Sequence, residues 1–186
     1  IAATELLKEN GAHVLALVNV VGSSLARMAD SVFYLHVGPE IGVASTKAYL
    51  GMLVGQLLLA KHWDSSNKLD VSFDEIAELP KLIEETMDCE KQIKDISEKI
   101  YKKNDIYFIG RGLDYALAAE GALKLKEISY LHAEALAAGE LKHGTLALIQ
   151  DGTPIIVTAS QNHLLDKTTS NVQEVIARGA YVIAIG

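Results

Sequence analysis

Short apolar runs that do not alternate with polar residues constrain the fold of this chain more than any other feature. Buried strands fit five segments, His13–Asn19, Ser31–His36, Asp105–Ile109, Pro154–Ser160 and Tyr181–Ile185. Helical patterns lie between or beside them, at Ser45–His62, Asp74–Met87, Glu90–Lys102, Leu113–Leu131 and Leu164–Arg178. Because such strands are typical of parallel sheets covered by helices, the pattern predicts an α/β fold of doubly wound parallel sheets.

The two ends of the chain resemble each other. Gly11–Leu17 matches Gly179–Ile185 position for position, at an offset of 168 residues, and a helical pattern precedes each segment. The likeness indicates either an internal repeat or two ordinary helix-to-strand junctions of similar composition. A repeat places the start of the chain inside one copy and its end inside a second, so we expect a fragment with two incomplete sheets.

Two charged helices with no strand between them divide the chain. A polar region with a turn, Asp64–Pro80, leads into them, and Asp64–Asn104 is the predicted joint between two sheets. We place the C-terminal part of a first domain at residues 1–73, connecting helices at 74–97 and the N-terminal part of a second domain at 98–186.

Composition excludes several classes of protein. Hydrophobic residues make up 49% of the 186, enough for a core, and a formal net charge of −7 argues against a nucleic-acid surface. The single cysteine, Cys89, cannot form an internal disulfide, which predicts a reducing, cytoplasmic setting. The longest apolar candidate, Leu50–Ala60, falls short of the roughly 18 residues of a membrane span. We expect a soluble protein.

Three side chains suited to proton transfer lie close together in the sequence. Lys124 and Glu127 are three positions apart, on one face of a helix, and His143 follows in a predicted loop between Gly139 and Gly144. A base, a cation and a second proton carrier are the minimum for moving protons on a carbonyl substrate. The alternative is a solvated surface pair. The residues before Lys124 argue against a solvated pair, because so many small side chains are typical of a closely packed helix. They are Ala116, Ala118, Ala119, Gly121 and Ala122.

Three loops follow predicted strands, where open α/β sheets bind ligands. In Gly38–Lys47, Ser45 and Thr46 fit either as N-caps of the next helix or as hydroxyl donors to a sugar or phosphate. Gly110–Gly112 permits a tight strand-to-helix turn but is too short for a dinucleotide fingerprint. Ala159–Asn162 fits a ligand loop and an ordinary N-cap equally well. We predict no cofactor.

The remaining reactive side chains match no known catalytic or metal-binding spacing. His132 and His143 lie 11 positions apart, and no zinc-binding motif of the H-E-x-x-H or H-x-x-E-H type is present. No serine has a G-x-S-x-G setting. We therefore predict neither a metal site nor serine hydrolysis.

Two segments resemble a known family of enzymes. GVASTKAY (Gly42–Tyr49) and GALKLKEISYLHAEALAAGELKHG (Gly121–Gly144) are similar to the isomerase half of glutamine:fructose-6-phosphate amidotransferase, or glucosamine-6-phosphate synthase. That half consists of two tandem sugar-isomerase (SIS) domains. The resemblance extends over nearly the whole chain and accounts for the repeat.

The resemblance implies a role for each candidate residue. Glu127 is similar to the base that moves a proton between C1 and C2 of the open-chain sugar phosphate. Lys124 resembles the lysine that holds and polarises the sugar oxygens. His143 resembles the histidine that assists ring opening. In the family's homodimer, that histidine reaches into the active site of the neighbouring subunit. Val43 and Ser45 match positions that line the sugar pocket. We expect Glu127 to face a cleft at the carboxyl edge of a sheet.

Other parts of the family pattern are not found in this chain. By the repeat, the family's phosphate loop would precede Ile1, and its Schiff-base lysine would follow Gly186. The glutaminase domain is also expected elsewhere in a longer chain, so we expect this piece alone to be inactive or nearly so. Thr145 replaces the proline that the family usually has there. The alternatives are another SIS isomerase or deaminase of an amino sugar, and a sugar-phosphate sensor.

Overall fold

Every strand in the computed structural model runs parallel to its sheet neighbours, as the unbroken apolar runs predict. The structure describes residues 1–186, which divide into a first unit, Ile1–Cys89, and a second unit, Glu90–Gly186. All five predicted strands form, with bounds within two residues of the prediction. None of the helices combines the length and apolar character that crossing a membrane requires.

The first unit contains a two-stranded parallel sheet and five helices. Its elements are α1 (Ala2–Glu9), β1 (Leu15–Val18), α2 (Ser24–Met28), β2 (Ser31–Tyr34), α3 (Lys47–Trp63), α4 (Phe73–Ala77) and α5 (Leu79–Met87). Leu15 pairs with Ser31 and Val18 with Tyr34. The single helix predicted at Asp74–Met87 is wrong: α4 ends before Glu78, and α5 begins with a proline in its first turn.

The second unit contains a four-stranded sheet in the order β4-β3-β5-β6. Its elements are α6 (Glu90–Ile100), β3 (Asp105–Gly110), α7 (Leu113–Ser129), β4 (His132–Ala137), β5 (Pro154–Thr158), α8 (Leu165–Ile176) and β6 (Tyr181–Ile185), with 3₁₀ helices at Ala138–His143, Thr145–Leu148 and Asn162–Leu164.

Both faces of the four-stranded sheet are covered. On one face the strands pack against α6 and α7, in a core of Ile100, Ile106, Phe108, Ala118, Ala122 and Ala133. On the other face they pack against α8 and the 3₁₀ helix Ala138–His143, in a core that contains Ile109, Ile155, Val157, Leu141, Ile149 and Val175. Each buried branched side chain of this kind contributes roughly 1.5–3 kcal/mol of transfer free energy. The doubly wound arrangement predicted from the sequence is present.

One strand of this sheet was not predicted. β4 has the sequence HAEALA, and its polar and small residues give no apolar run. It forms because α7 ends at Ser129, the next residue, Tyr130, adopts a left-handed conformation (φ +61°), and the chain then pairs along β3 from Asp105 to Gly110. An edge strand has only one neighbour and does not need the continuous apolar sequence of a central strand.

The two ends of the chain have the same local geometry. α1 is followed by Gly11 and then by β1, and α8 is followed by Gly179 and then by β6. Both glycines have left-handed φ angles, +78° and +84°, which favour glycine at this turn.

Candidate active site

The candidate base and cation form an ion pair on α7. The Nζ of Lys124 lies 2.6 Å from Oε2 of Glu127 and donates a hydrogen bond to it. The same ammonium lies 3.4 Å from Oε1 of Glu120, one turn earlier on the helix. We call these three side chains the α7 trio. Each is largely shielded, with 19% (Lys124), 27% (Glu127) and 24% (Glu120) of the side chain exposed.

The electrostatics of the α7 trio favour the protonated form of its lysine. The hydrogen bond to Glu127, with added attraction from Glu120, raises the pKa of Lys124 above its usual value. At neutral pH its ammonium is therefore protonated and can donate hydrogen bonds but cannot accept a proton. In the trio, two glutamate side chains share the one ammonium.

The position of Glu127 within its unit differs from the expectation. α7 leaves the carboxyl end of β3 and ends at Ser129, just before β4. The first residue of β4, His132, pairs with the first residue of β3, Asp105, so the last turn of α7 lies at the amino edge. The prediction that Glu127 faces the carboxyl edge is wrong for the sheet that α7 crosses.

His143 lies in the second unit without contacting the trio. It ends the 3₁₀ helix Ala138–His143, where a simple loop was expected, and 74% of its side chain is exposed. Its ionic neighbour is Glu140, 3.9 Å away, and it forms no hydrogen bond or ion pair with Lys124 or Glu127. The imidazole projects outward from a helix that α8 holds, because Lys142 forms a 2.8 Å ion pair with Glu174.

Val43 and Ser45 lie in the first unit, on the loop between β2 and α3. The side chain of Val43 is 89% exposed, whereas Ser45 is half-buried and donates a 2.9 Å hydrogen bond to Glu40. Thr46 is the N-cap residue of α3, as one of the two interpretations predicted, but its hydroxyl makes no capping hydrogen bond, and Ser45 lies one position before the cap. The cap is the carboxylate of Glu40, which accepts the backbone N–H groups of Thr46 and Lys47 at 2.6 and 3.1 Å.

Asn19 fixes the start of the same loop at the carboxyl end of β1. Its side-chain amide donates to the carbonyl of Gly38 at 2.7 Å and accepts from the N–H of Val37 at 3.2 Å. A cavity of about 390 Å³ opens here, lined by Asn19, Val20, His36, Gly38 and Pro39. In the first unit, therefore, polar groups and a cavity do meet at the carboxyl edge of the sheet.

A buried aspartate organises the corresponding edge of the second unit. Asp114, in the first turn of α7, is only 1% exposed. Its carboxylate accepts the N–H of Ser160 at 3.1 Å, the hydroxyl of Ser160 at 2.6 Å and the N–H of Gln161 at 3.3 Å. Burial raises the pKa of Asp114, but the hydrogen bonds from Ser160 and Gln161 outweigh it and leave the pKa below its usual value. Hydrogen bonds to Asp114 therefore fix the conformation of the loop Ala159–Asn162.

Sequence reasoning missed Glu40, Asp114 and Glu120. Glu120 had a usable signal, because it lies four residues before Lys124. Glu40 had none, since it caps a helix that begins seven residues later. Asp114 resembled an ordinary first-turn acid, but its carboxylate binds Ser160 in the loop that follows β5. No group of three or more His, Cys, Asp or Glu side chains is arranged to hold a metal ion.

The fold is that of parallel α/β units, and the α7 trio is the candidate acid–base site of the second unit. A family model described as "SIS domain" matches residues 1–61 and 99–186. The chain therefore belongs to the SIS domain family.

Individual relatives match the whole chain. Glutamine–fructose-6-phosphate aminotransferase (isomerizing) from Clostridium tetani is 48% identical over 191 aligned positions, covering 100% of this chain and 31% of that protein. The same enzyme from Pyrococcus horikoshii is 47% identical, with the same two coverages. The C-terminal domain of glucosamine-fructose-6-phosphate aminotransferase from Francisella tularensis is 39% identical, with a TM-score of 0.83 over 98% of this chain and 53% of that chain. The chain spans about a third of the length of these curated relatives.

Proposed function

We propose that this chain is the isomerase part of a glutamine–fructose-6-phosphate aminotransferase. The proposed reaction takes fructose-6-phosphate and glutamine-derived ammonia to glucosamine-6-phosphate, a step of hexosamine and UDP-N-acetylglucosamine biosynthesis. One observation carries the proposal: a carboxylate and an ammonium lie 2.6 Å apart in a shielded position on the helix whose sequence resembles the catalytic segment of that family.

The proposed mechanism assigns the proton transfer to Glu127. Ammonia first replaces the C2 carbonyl oxygen of the open-chain substrate as an imine, with loss of water. The carboxylate of Glu127 then removes a proton from C1 and returns that proton to C2, which gives the aldose with its nitrogen at C2. The C1 hydroxyl loses its proton to solvent as the aldehyde forms, so negative charge grows on the C1 oxygen. The ammonium of Lys124 donates a hydrogen bond to that oxygen and stabilises the intermediate. Glu120 holds Lys124 from the other side, which keeps the ammonium near Glu127.

The other candidate residues complete the proposal. His143 assists ring opening in the neighbouring subunit of a homodimer, consistent with its 74% exposed side chain. Val43 and Ser45 line the sugar pocket. The glutaminase domain, the phosphate loop and the imine-forming lysine lie elsewhere in a longer chain, which acts in the cytoplasm. The three-part division at residues 73/74 and 97/98 belongs to the same proposal.

The test is a product assay on the full-length protein. With fructose-6-phosphate and glutamine, we expect glucosamine-6-phosphate and glutamate in equal amounts. Release of ammonia from glucosamine-6-phosphate, with no use of glutamine, would instead identify a deaminase. Binding of the sugar phosphate without turnover would identify a sensor, and either result would contradict the proposed function.

A further inference from the structure

One carboxylate in the first unit, that of Glu40, accepts four hydrogen bonds at the end of the β2–α3 loop. Oε1 of Glu40 accepts from the N–H and the hydroxyl of Thr46, at 2.6 and 3.3 Å, and from the N–H of Lys47 at 3.1 Å. Oε2 accepts the hydroxyl of Ser45 at 2.9 Å. These bonds, led by that from the N–H of Thr46, lower the pKa of Glu40, so the group is a carboxylate at neutral pH.

The ionised carboxylate fixes which way the Ser45 hydroxyl points. A carboxylate has no proton to donate, so Ser45 must be the donor in this pair. A serine hydroxyl has a single hydrogen, and Ser45 already donates that hydrogen to Glu40. The lone pairs that remain on its oxygen can only accept a hydrogen bond from a ligand.

We propose that Glu40 is a positioning residue that makes Ser45 a hydrogen-bond acceptor for a sugar hydroxyl and not a donor to a phosphate oxygen. The inference rests on the proposed function, in which Ser45 lines the sugar pocket. A phosphate oxygen has no hydrogen to offer Ser45, and the negative charge of Glu40 repels it. The hydroxyl-bearing end of the substrate therefore faces this loop, and its phosphate binds elsewhere.

Two substitutions test this assignment in the full-length protein. Ser45→Ala removes the acceptor. Glu40→Gln keeps the shape, but its amide donates to Ser45 while its oxygen caps α3, so the Ser45 hydroxyl no longer has to donate to residue 40. The matched control is Glu75→Gln, because Glu75 also accepts a serine hydroxyl and a backbone N–H at a helix N-terminus, from Ser72 at 2.8 and 2.7 Å.

The readout is the dissociation constant of three probes, measured by calorimetry. For fructose-6-phosphate, we expect Ser45→Ala and Glu40→Gln to weaken binding about tenfold, the effect of one hydrogen bond. Inorganic phosphate should bind all variants within about twofold. Among analogues of fructose-6-phosphate that each lack one hydroxyl, a single analogue should bind both variants as well as the wild type.

Three results would overturn the inference. They are an equal loss of phosphate affinity, a penalty from Glu40→Gln no larger than that from Glu75→Gln, and penalties that persist with every analogue. Failure of the proposed function is a different result, since a protein that binds fructose-6-phosphate as described but forms no glucosamine-6-phosphate would retain the role of Glu40. A wild-type protein that does not bind fructose-6-phosphate would contradict both.

Discussion

Single carboxylates hold the loops at the carboxyl edges of both sheets. Glu40 accepts hydrogen bonds from the N-terminus of α3 and from the hydroxyl of Ser45. Asp114 accepts them from Ser160 and Gln161, which follow β5. A charged acceptor is well suited to this role, because its hydrogen bonds are about twice as strong as neutral ones. Neither contact follows a short sequence pattern, whereas the spacing of Lys124 and Glu127 predicted that the two side chains share one face of α7.

At the residue scale, Asp114→Ala should lower the free energy of unfolding by about 3 kcal/mol, because the N–H and the hydroxyl of Ser160 both lose a charged acceptor. The pKa of Asp114 is lower in the folded protein than its ordinary 3.8. Its stabilisation is therefore complete well above pH 3.8 and is lost as the pH falls through the folded pKa. Urea unfolding of both proteins between pH 7 and pH 3 measures the free energy of unfolding that Asp114→Ala loses. It also shows whether that difference becomes smaller as the pH falls.

Asp166→Ala is the matched control for this substitution. Asp166 occupies the equivalent first-turn position of α8 but is exposed. We expect its replacement to change stability by no more than about 0.5 kcal/mol. Equal losses for the two variants, or an Asp114→Ala loss that does not depend on pH, would contradict the role given to Asp114.

At the scale of elements, the sequence pattern predicted the strands that are apolar and missed the one that is not. β4 has one neighbour and a polar sequence. Its pairing with β3 therefore depends on where α7 ends, just before the left-handed Tyr130. For the same reason, the segment after β4 was expected to be a loop around His143. It is a 3₁₀ helix because Leu141 and Ala138 bury their side chains in the core.

One ion pair, between Lys142 and Glu174, links the 3₁₀ helix Ala138–His143 to α8, and its removal can be tested. Glu174 is mostly buried, with one carboxylate oxygen bonded to Lys142 at 2.8 Å and the other without a partner. Lys142→Ala should cost about 1–2 kcal/mol, because it leaves this carboxylate uncompensated. Hydrogen exchange should accelerate at the amides of residues 138–143 more than in β3 or β5.

Lys81→Ala provides the comparison for this ion pair. Lys81 also pairs with a glutamate, Glu85, but at 3.9 Å and with both side chains mostly exposed. Its loss should change stability by less than about 0.5 kcal/mol. If the two lysine variants behave alike, the Lys142–Glu174 pair does not hold the helix that carries His143.

For the whole molecule, alternation of strands and helices predicted the class of fold, and two motifs predicted the family. Periodicity alone could not show which edge of a sheet Glu127 approaches, because the answer depends on the direction in which α7 crosses β3 and β4. The candidate residues are divided between the units, with Ser45 in the first and Glu127 in the second. The chemistry therefore has to be tested in the full-length protein.

The central claim is that Glu127 moves the proton between C1 and C2. The most direct measurement is the exchange of substrate hydrogen with deuterated solvent by the full-length protein, with fructose-6-phosphate as substrate. We predict that Glu127→Gln slows exchange by about 10²- to 10⁴-fold, the usual contribution of a general base, while Glu120→Gln slows it about tenfold at most. Exchange at the wild-type rate in Glu127→Gln, or an equal loss in both variants, would contradict the claim.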